Sequence, residues 1–392
     1  MTLITSNSEF KKLCKRIKKA GIVAFDTEFV SENYYRPKLC LLQFGFDDEI
    51  VGVDPFEVAD LAPWWDLMIN DSTTVIVHGG REEIRFCQFA TGDRPRKLVD
   101  VQIAEGLRSR GYPLSHTNLV SRVLGKSVKH GKETRTDWER RPLDEKQIRY
   151  ALDDVRYLIA IWEKQAKSLK SSDRLSWSEF EFERFIEYVL GEEDRDGWYR
   201  LPGFSRLNRR DMAIARELYC WRDQIAEQQN RPPRRVLRDD LLVDVAKRHP
   251  RSVKELNLVR DMNRRDYQRH AADLLSVVER GLEIPESEFP NKSNERSYPS
   301  QDEVLARILG LALANRCQEL GLSMSLVGTT ADLKELVRWH VFDNRNGATP
   351  RLLDGWRGDM CGKVLIDVLD GNVTLRVADP KSENPLSFDF DH

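Results

Sequence analysis

The sequence predicts an α/β domain followed by two helical regions, and three observations support this prediction. Before residue 170, short β-favouring apolar runs alternate with helical patterns, as in a sheet covered by helices. After residue 205 such runs nearly vanish, and apolar residues recur at helical spacing. Two polar stretches separate these regions: 191–203 mixes acidic residues with Gly and Pro, and 285–300 holds three prolines. We therefore predict a domain over 1–170, a linker over 171–204, a helical domain over 205–285, a linker over 286–299 and a second helical domain over 300–392.

Residue type and period place the individual elements. The predicted strands are the β-branched and aromatic runs at 22–25, 39–46, 50–53 and 74–77. Helical patterns cover 58–69, 82–90, 100–108, 116–124 and 144–169. In the first helical region, one apolar stripe is formed by Ile214, Leu218, Trp221 and Ile225.

Composition excludes several classes of protein. The 392 residues are 40% hydrophobic and 32% charged, with 62 basic residues against 64 acidic ones. This balance suits a folded core and excludes a disordered chain or a basic tail. No stretch reaches the ~20 apolar residues of a membrane span, and we expect no signal peptide. Six cysteines without a C-x-x-C pair indicate reduced thiols, so we expect a cytoplasmic protein.

Charge is distributed unevenly along the chain. Residues 205–285 carry 18 basic side chains and 13 acidic ones, and four arginines cluster there: Arg231, Arg234, Arg235 and Arg238. The planar guanidinium matches the geometry of phosphate. This region therefore favours a polyanionic partner, with a solvated helical face as the alternative.

Acidic pairs follow predicted strands at two places. Asp26 and Glu28, in IVAFDTEF, are two residues apart and project from the same face of a strand. Neighbouring carboxylates repel unless a cation lies between them, and oxygen-rich clusters suit Mg²⁺ or Mn²⁺. In VIVHGGREEIRF, His78 ends a strand, and Glu82 and Glu83 open the next helix. The alternatives are a solvated strand end and acids that face a helix dipole.

A helix near residue 150 supplies a third element. In KQIRYALDDVRYLIAIWE, Tyr150 and Asp154 are four residues apart and share a helical face. A tyrosine hydroxyl one turn from a carboxylate can position a water held on a metal. The alternative is an aromatic ring packed beside a surface acid.

These three elements, in this order, resemble the three motifs of the DEDDy 3′–5′ exonucleases. VAFDTEFV, YYRPKLCLLQF, DVQIA and RTDWERRPLDEKQIRYALDDVRYL resemble the ribonuclease D family in particular. LYCWRDQIAEQQNRPPRRVLRDDLLVDVAKRHP is similar to the helicase-and-RNase-D C-terminal (HRDC) domain. GWRGDMCGKVL is similar to the end of a second, more divergent HRDC-like unit. One departure stands at the second motif, where the family places an aspartate and this chain offers Glu83.

The resemblance implies a ribonuclease H-like exonuclease fold, a mixed sheet flanked by helices, followed by two small all-α HRDC-like domains. It also implies two divalent cations, Mg²⁺ or Mn²⁺, with four acidic ligands: Asp26, Glu28, Glu83 and Asp154. Asp26 would contact both ions, Glu83 would support the second through water, and Tyr150 would orient the attacking water. The expected products are nucleoside 5′-monophosphates from RNA 3′ ends.

The resemblance further implies RNA partners, with tRNA precursors as the expected substrates, and neither a membrane nor an obligate protein partner. Candidate RNA contacts are three aromatic and four basic residues: Tyr34, Tyr35, Trp138, Lys132, Arg135, Arg234 and Arg235. Core packing is the alternative for the aromatic residues. Two other functions stay open. A DNA 3′–5′ exonuclease shares the three motifs, and the altered second motif motivates a non-catalytic RNA-binding scaffold.

Overall fold

The computed structural model of the chain describes residues 2–128, 136–191, 197–290, 301–342, 345 and 348–390. They fall into two compact units. The first is drawn from Met1–Glu28, Cys40–Glu193 and Tyr298–His392, and the second from Phe29–Leu39 and Asp194–Ser297. The first unit thus joins two regions that composition predicts as separate domains. None of the helices in these described ranges is long and apolar enough to cross a membrane.

A mixed six-stranded sheet lies in the first unit. Its strands are β1 (Thr2–Ile4), β2 (Ile22–Val30), β3 (Lys38–Phe46), β4 (Glu49–Val53), β5 (Thr74–Val77) and β6 (Leu98–Asp100). Their order across the sheet is β1-β4-β3-β2-β5-β6. β4 is parallel to β1 and antiparallel to β3, while β5 is parallel to both β2 and β6. The four predicted strands are confirmed, and β1 and β6, at three residues each, are too short to carry a periodic signal.

Helices flank this sheet, as predicted. They are α1 (Asn7–Ala20), α2 (Ala62–Met68), α3 (Arg81–Thr91), α4 (Val101–Arg108), α5 (His116–Leu124), α6 (Glu145–Val155), α7 (Leu158–Ser171) and α8 (Leu175–Leu190). The helix predicted over 144–169 is divided at Arg156 and Tyr157. A linker over 171–204 is wrong for its first half, because α8 buries Phe182, Ile186 and Val189.

Aromatic packing anchors β2 within the core. The Phe25 ring lies 5.2 Å from that of Phe44 and 4.6 Å from that of Trp64, between centroids. Helix α6 approaches the sheet closely at Gly45, where an added Cβ would lie 3.2 Å from the Val155 carbonyl oxygen. This close approach fixes the height of α6 over the sheet, and α6 carries two of the predicted site residues.

The second unit is helical, with one strap from the N-terminal part of the chain, Phe29–Leu39. Its helices are α9 (Arg209–Gln228), α10 (Pro233–Val236), α11 (Asp239–Arg248), α12 (Val253–Leu256), α13 (Arg265–Gln268) and α14 (Ala271–Glu283). Short 3₁₀ turns lie at Gly197–Arg200, Phe204–Arg206 and Glu286–Glu288. The predicted apolar stripe of α9 is confirmed, since Ile214, Leu218 and Trp221 are buried and Ile225 packs against the same core.

The C-terminal region adds helices and a hairpin to the first unit. The helices are α15 (Gln301–Leu320), α16 (Met324–Val327), α17 (Thr330–Val341), α18 (Gly355–Arg357) and α19 (Lys363–Leu369), with a 3₁₀ turn at Arg351–Leu353 and a π turn at Gly358–Gly362. β7 (Val373–Val377) pairs antiparallel with β8 (Leu386–Phe390). The prediction of an all-α second domain is therefore wrong. Its signal was the β-branched run VTLRV, which begins two residues after Gly371.

A buried ion pair ties the GWRG segment to helix α8. The Arg357 guanidinium is fully buried and donates to both carboxylate oxygens of Glu181 on α8. Its remaining donors reach the carbonyl oxygens of Leu326 and Val327. The Trp356 indole donates to the same carboxylate at 3.0 Å. This part of the GWRGDMCG motif is thus placed in the core of the first unit.

Candidate active site

The carboxyl ends of β2, β5 and β6 meet at one edge of the sheet. Because the three strands are parallel, the residues at their ends emerge on the same side. Asp26 and Glu28 lie on the last part of β2, His78 follows β5, and Asp100 ends β6. Polar side chains from three strands are therefore gathered at this edge.

A two-glycine turn joins β5 to α3 at that edge. Gly79 has φ +71°, and a Cβ on Gly80 would lie 2.4 Å from a methyl carbon of Val77, so both positions require glycine. The Gly80 N–H donates to the Asp100 carboxylate at 3.1 Å, which fixes the turn. Glu83 consequently enters the first turn of α3 beside the end of β2.

Helix α6 brings the third element. A capping box formed by Asp144 and Gln147 starts the helix. Tyr150 and Asp154 follow one turn apart, and the Tyr150 hydroxyl is hydrogen-bonded to the Asp154 carboxylate, which lowers the pKa of that group. The predicted helical placement of this pair is confirmed.

A cavity of ≈ 290 Å³ opens between these elements. Three of the predicted residues line it: Asp26, Tyr150 and Asp154. Four more residues complete the lining: His78, which precedes the second acidic pair, and Ser115, His116 and Leu158, which the sequence did not mark for the site. Glu28 and Glu83 are not among the lining residues. The charge of Asp26, which lines the cavity, raises the pKa of both glutamates.

The four acids share one electrostatic environment. Burial, followed by the charge of Asp154, raises the pKa of Asp26 well above its usual range. Burial and then the neighbouring acids raise the pKa of Glu28 to about 9, and those neighbours are Asp26, Asp154 and Glu83. Burial and then Asp26 raise the pKa of Glu83 to about 8. For Asp154, burial and then the charge of the adjacent Asp153 raise the pKa to about 7, against the opposing Tyr150 hydrogen bond. Such a group of acids gains most from a cation.

The donor set fits hard divalent cations, because it consists of carboxylate oxygens and a neighbouring phenol. Within the parts of the chain that the structure describes, no three acidic, histidine or cysteine groups already converge on one point at ligand distance.

The two glutamates that open α3 have different environments. Glu83 is 5% exposed, and its Oε1 accepts a hydrogen bond from the Thr27 hydroxyl at 2.6 Å. Glu82 is paired with Arg85 of the same helix, with 2.6 Å between Oε1 and Nη1. Of the two, Glu83 is therefore the one that faces the end of β2.

Two histidines lie at the cavity. His78 Nε2 is 2.9 Å from the Leu114 carbonyl oxygen, in agreement with the hydrogen-bonded structural role that is most common for such a residue. His116 is buried, with Nδ1 3.5 Å from Oδ1 of Asp154. In the sequence, His116 is only the first residue of the helix predicted over 116–124. Its closeness to Asp154 arises from the fold.

The aromatic candidates for RNA stacking are held by protein contacts. Trp138 is 3% exposed, with its ring centroid 6.3 Å from that of Tyr150. Tyr35 packs against the core of the second unit, and its hydroxyl donates to Asp223 at 2.7 Å. Tyr34 is half-buried, with the Lys38 ammonium 5.5 Å from its ring centroid. For Trp138 and Tyr35 these contacts favour the alternative of core packing.

The basic candidates differ in exposure. Arg234 is 78% exposed and pairs with Asp239 at 2.8 Å. Arg235 donates to the Asn33 side chain at 2.8 Å, within the second unit. Lys132 and Arg135 lie outside the described residues.

Comparison with known proteins agrees with this architecture. Residues 1–170 match the family model of the 3′–5′ exonucleases, and residues 211–278 match the HRDC domain. A ribonuclease D from Sphingobium indicum is 31% identical over 381 residues, and one from Zymomonas mobilis is 30% identical over 385 residues. Both alignments cover 96% of this chain, with 96% and 95% of the relatives.

Solved structures agree as well. The crystal structure of Escherichia coli RNase D, described as an exoribonuclease involved in structured RNA processing, has a TM-score of 0.83 at 26% identity. That match covers 94% of this chain and 98% of the other. A protein from Bifidobacterium adolescentis shares the fold, with a TM-score of 0.71 at 21% identity over 95% of this chain and 97% of the other. From its acidic motifs, its fold and its full-length relatives, the chain belongs to the ribonuclease D family of divalent-metal-dependent 3′–5′ exoribonucleases.

Proposed function

We propose that this chain removes nucleoside 5′-monophosphates one at a time from RNA 3′ ends by hydrolysis with two divalent cations, and that tRNA precursors are among its substrates. One observation carries the proposal. Four acids from β2, α3 and α6 are buried, which raises all their pKa values, and charge from other members of the four raises the pKa values of three of them further. The four are Asp26, Glu28, Glu83 and Asp154.

In this proposal the acids hold the cations, and Tyr150 positions the attacking water. When bound, the cations stabilise charge on the scissile phosphate and on the leaving 3′ oxygen. The Tyr150 hydroxyl is hydrogen-bonded to Asp154, and Tyr150 lines the same cavity as Asp26. It can therefore orient a water in this cavity, beside the two carboxylates. Protons must leave the acids as the cations enter, and the raised pKa values make this exchange strongly dependent on pH.

Substrate class follows from the size of the cavity and from the relatives. A cavity of ≈ 290 Å³ lies near the lower end of ligand-sized sites, in accord with release of one terminal nucleotide per cycle. RNA is preferred over DNA in this proposal because the full-length relatives are ribonucleases D. All six cysteines are free thiols, which supports a reducing, cytoplasmic location.

Digestion of a tRNA precursor with a labelled 3′ trailer tests the proposal. We expect stepwise release of labelled 5′-mononucleotides with Mg²⁺ or Mn²⁺ and none with a chelator. A DNA strand of the same sequence is the matched control, since a ribose preference distinguishes the two kinds of exonuclease. Equal rates on both strands would favour the DNA exonuclease. A protein that binds the RNA yet releases nothing with either metal would be the non-catalytic scaffold.

The assignment of Glu83 has its own test, in which Glu82 is the matched control. We expect Glu83→Gln to lose most activity, because a neutral amide is a poor ligand for a divalent cation. Glu83→Asp should retain or improve activity, since it keeps the charge and restores the side chain usual in the family. Glu82→Gln should be nearly silent because Glu82 pairs with Arg85. Wild-type activity in Glu83→Gln together with loss in Glu82→Gln would reverse the assignment.

A further inference from the structure

Thr27 contacts two of the four acids. It lies between Asp26 and Glu28 on β2, and strand alternation directs its side chain to the opposite face. The side chain is 6% exposed, and its hydroxyl donates to Oε1 of Glu83 at 2.6 Å. Its backbone is hydrogen-bonded to the Asp26 carboxyl. One residue therefore links β2 to the first turn of α3 at the site.

The contact matters because of the extra length of Glu83. A glutamate has one more rotatable bond than the aspartate that the family places here, so its carboxylate has more positions to choose from. Threonine is a rigid anchor, because a β-branched side chain is restricted at χ1. A hydrogen bond from a neutral hydroxyl to a carboxylate is among the stronger ones in proteins. The bond engages Oε1, and the carboxylate has Oε2 as a second ligand atom.

We propose that Thr27 is a positioning residue that fixes the Glu83 carboxylate and so allows glutamate to serve the second cation in place of aspartate. The inference rests on the proposed function. It assigns to Thr27 no contact with substrate, and its whole effect passes through Glu83.

Calorimetric titration of the metal-free full chain with Mn²⁺, in the absence of RNA, tests the inference. Thr27→Val removes the hydroxyl at similar volume, and we expect it to weaken one of the two cation sites about 10- to 100-fold. Thr27→Ser keeps the hydroxyl and should stay within roughly threefold of wild type. Thr73→Val is the matched control. Thr73 is 1% exposed, and its hydroxyl has no hydrogen-bond partner among the described residues. Unchanged affinity in Thr27→Val would overturn the inference, and so would tighter binding.

A double-mutant cycle isolates the route through Glu83. In a Glu83→Asp background the carboxylate is one methylene shorter, by on the order of 1.5 Å, and does not reach the Thr27 hydroxyl. We therefore expect Thr27→Val to change Mn²⁺ affinity less than threefold there, against at least tenfold in the wild-type background. Equal effects in both backgrounds would mean that Thr27 acts by another route, and would overturn the inference.

Kinetics separate positioning from a general loss of structure. We expect Thr27→Val to lower kcat at limiting Mn²⁺, to recover at saturating Mn²⁺, and to leave the KM for RNA within roughly twofold. If Thr27→Val melts too low for assay, Thr27→Ala against Thr27→Ser gives the same comparison. A wild-type chain that neither binds Mn²⁺ nor digests RNA would refute the proposed function itself. A normal wild type with Thr27→Val matching Thr73→Val would refute this inference alone.

Discussion

Replacing Arg357 by methionine should destabilise the protein by about 3–5 kcal/mol. The guanidinium is fully buried and donates to both oxygens of Glu181, which is itself 2% exposed. Methionine has a similar length without the charge, so the variant leaves a buried carboxylate without its main partner. Breaking one side of a buried ion pair costs about 3–5 kcal/mol. For a unit of this size, with roughly 2 °C per kcal/mol, the melting temperature should fall by ~6–10 °C.

Solution pH provides a second measurement on the same variant. Burial by itself raises the pKa of Glu181, but hydrogen bonds and charge from Arg357 outweigh it and lower the pKa. In the wild type this group stabilises the fold above its unfolded pKa of about 4.3, and the contribution is lost as pH falls. In Arg357→Met the effect of burial dominates, so the carboxylate takes up a proton as pH falls and its cost disappears. The difference in melting temperature should therefore shrink between pH 8 and pH 5.

Calorimetric melting of the full chain checks both expectations. Arg307→Met is the control, because Arg307 is 77% exposed and its pair with Glu303 should contribute little. The double variant Glu181→Gln with Arg357→Met should melt above Arg357→Met alone, since the unpaired charge is gone. The reasoning fails if Arg357→Met melts like Arg307→Met, or if the difference from wild type grows at low pH.

Three further predictions concern the site and the RNA surface. The raised pKa values mean that the native metal-free protein holds more protons than the unfolded chain, so its stability falls as pH rises from about 4 to about 9. With a chelator present, the stability of Asp26→Asn should fall less steeply with pH. An equally steep fall would contradict the mutual effect of these acids on their pKa values. Tyr150→Phe removes the bond that lowers the pKa of Asp154, so the acidic limb of the pH–rate profile should move to higher pH; an unmoved limb would exclude this role. Arg234→Ala should reduce the salt dependence of RNA affinity by about one phosphate contact. Arg96 is exposed and paired with Asp93, and Arg96→Ala should leave the salt dependence unchanged. If both variants show the same dependence of RNA affinity on salt, Arg234 belongs to a solvated face.

The elements that sequence predicts best are those with a local signal. The alternation in β2 and the four-residue spacing in α6 describe contacts within one element, so Asp26 with Glu28, and Tyr150 with Asp154, were predictable as pairs. The parallel order of β2, β5 and β6 then brings these pairs to one edge. The family resemblance implies a mixed sheet, and the structure gives the order and direction of its strands.

Long-range contacts carry no such signal. Thr27 and Glu83 are 56 residues apart, and Glu181 and Arg357 are 176 apart. Helix α8 lies within the predicted linker over 171–204. The Gly and acidic residues that indicate a linker occur only in the C-terminal part of that stretch, after α8 ends. The GWRG segment resembles an HRDC-like end, yet its arginine is fully buried against α8. Burial of this kind depends on which surfaces meet, and no single segment encodes it.

The central claim is that four acids from three elements form one site for two divalent cations. Calorimetric titration of the metal-free full chain with Mn²⁺ counts the bound ions directly. We predict two ions per chain in the wild type and weaker binding of both in Asp26→Asn, because Asp26 lines the cavity and its charge raises the pKa of both Glu28 and Glu83. A wild-type chain that binds no ion, or an Asp26→Asn chain that binds two with wild-type affinity, would contradict the claim.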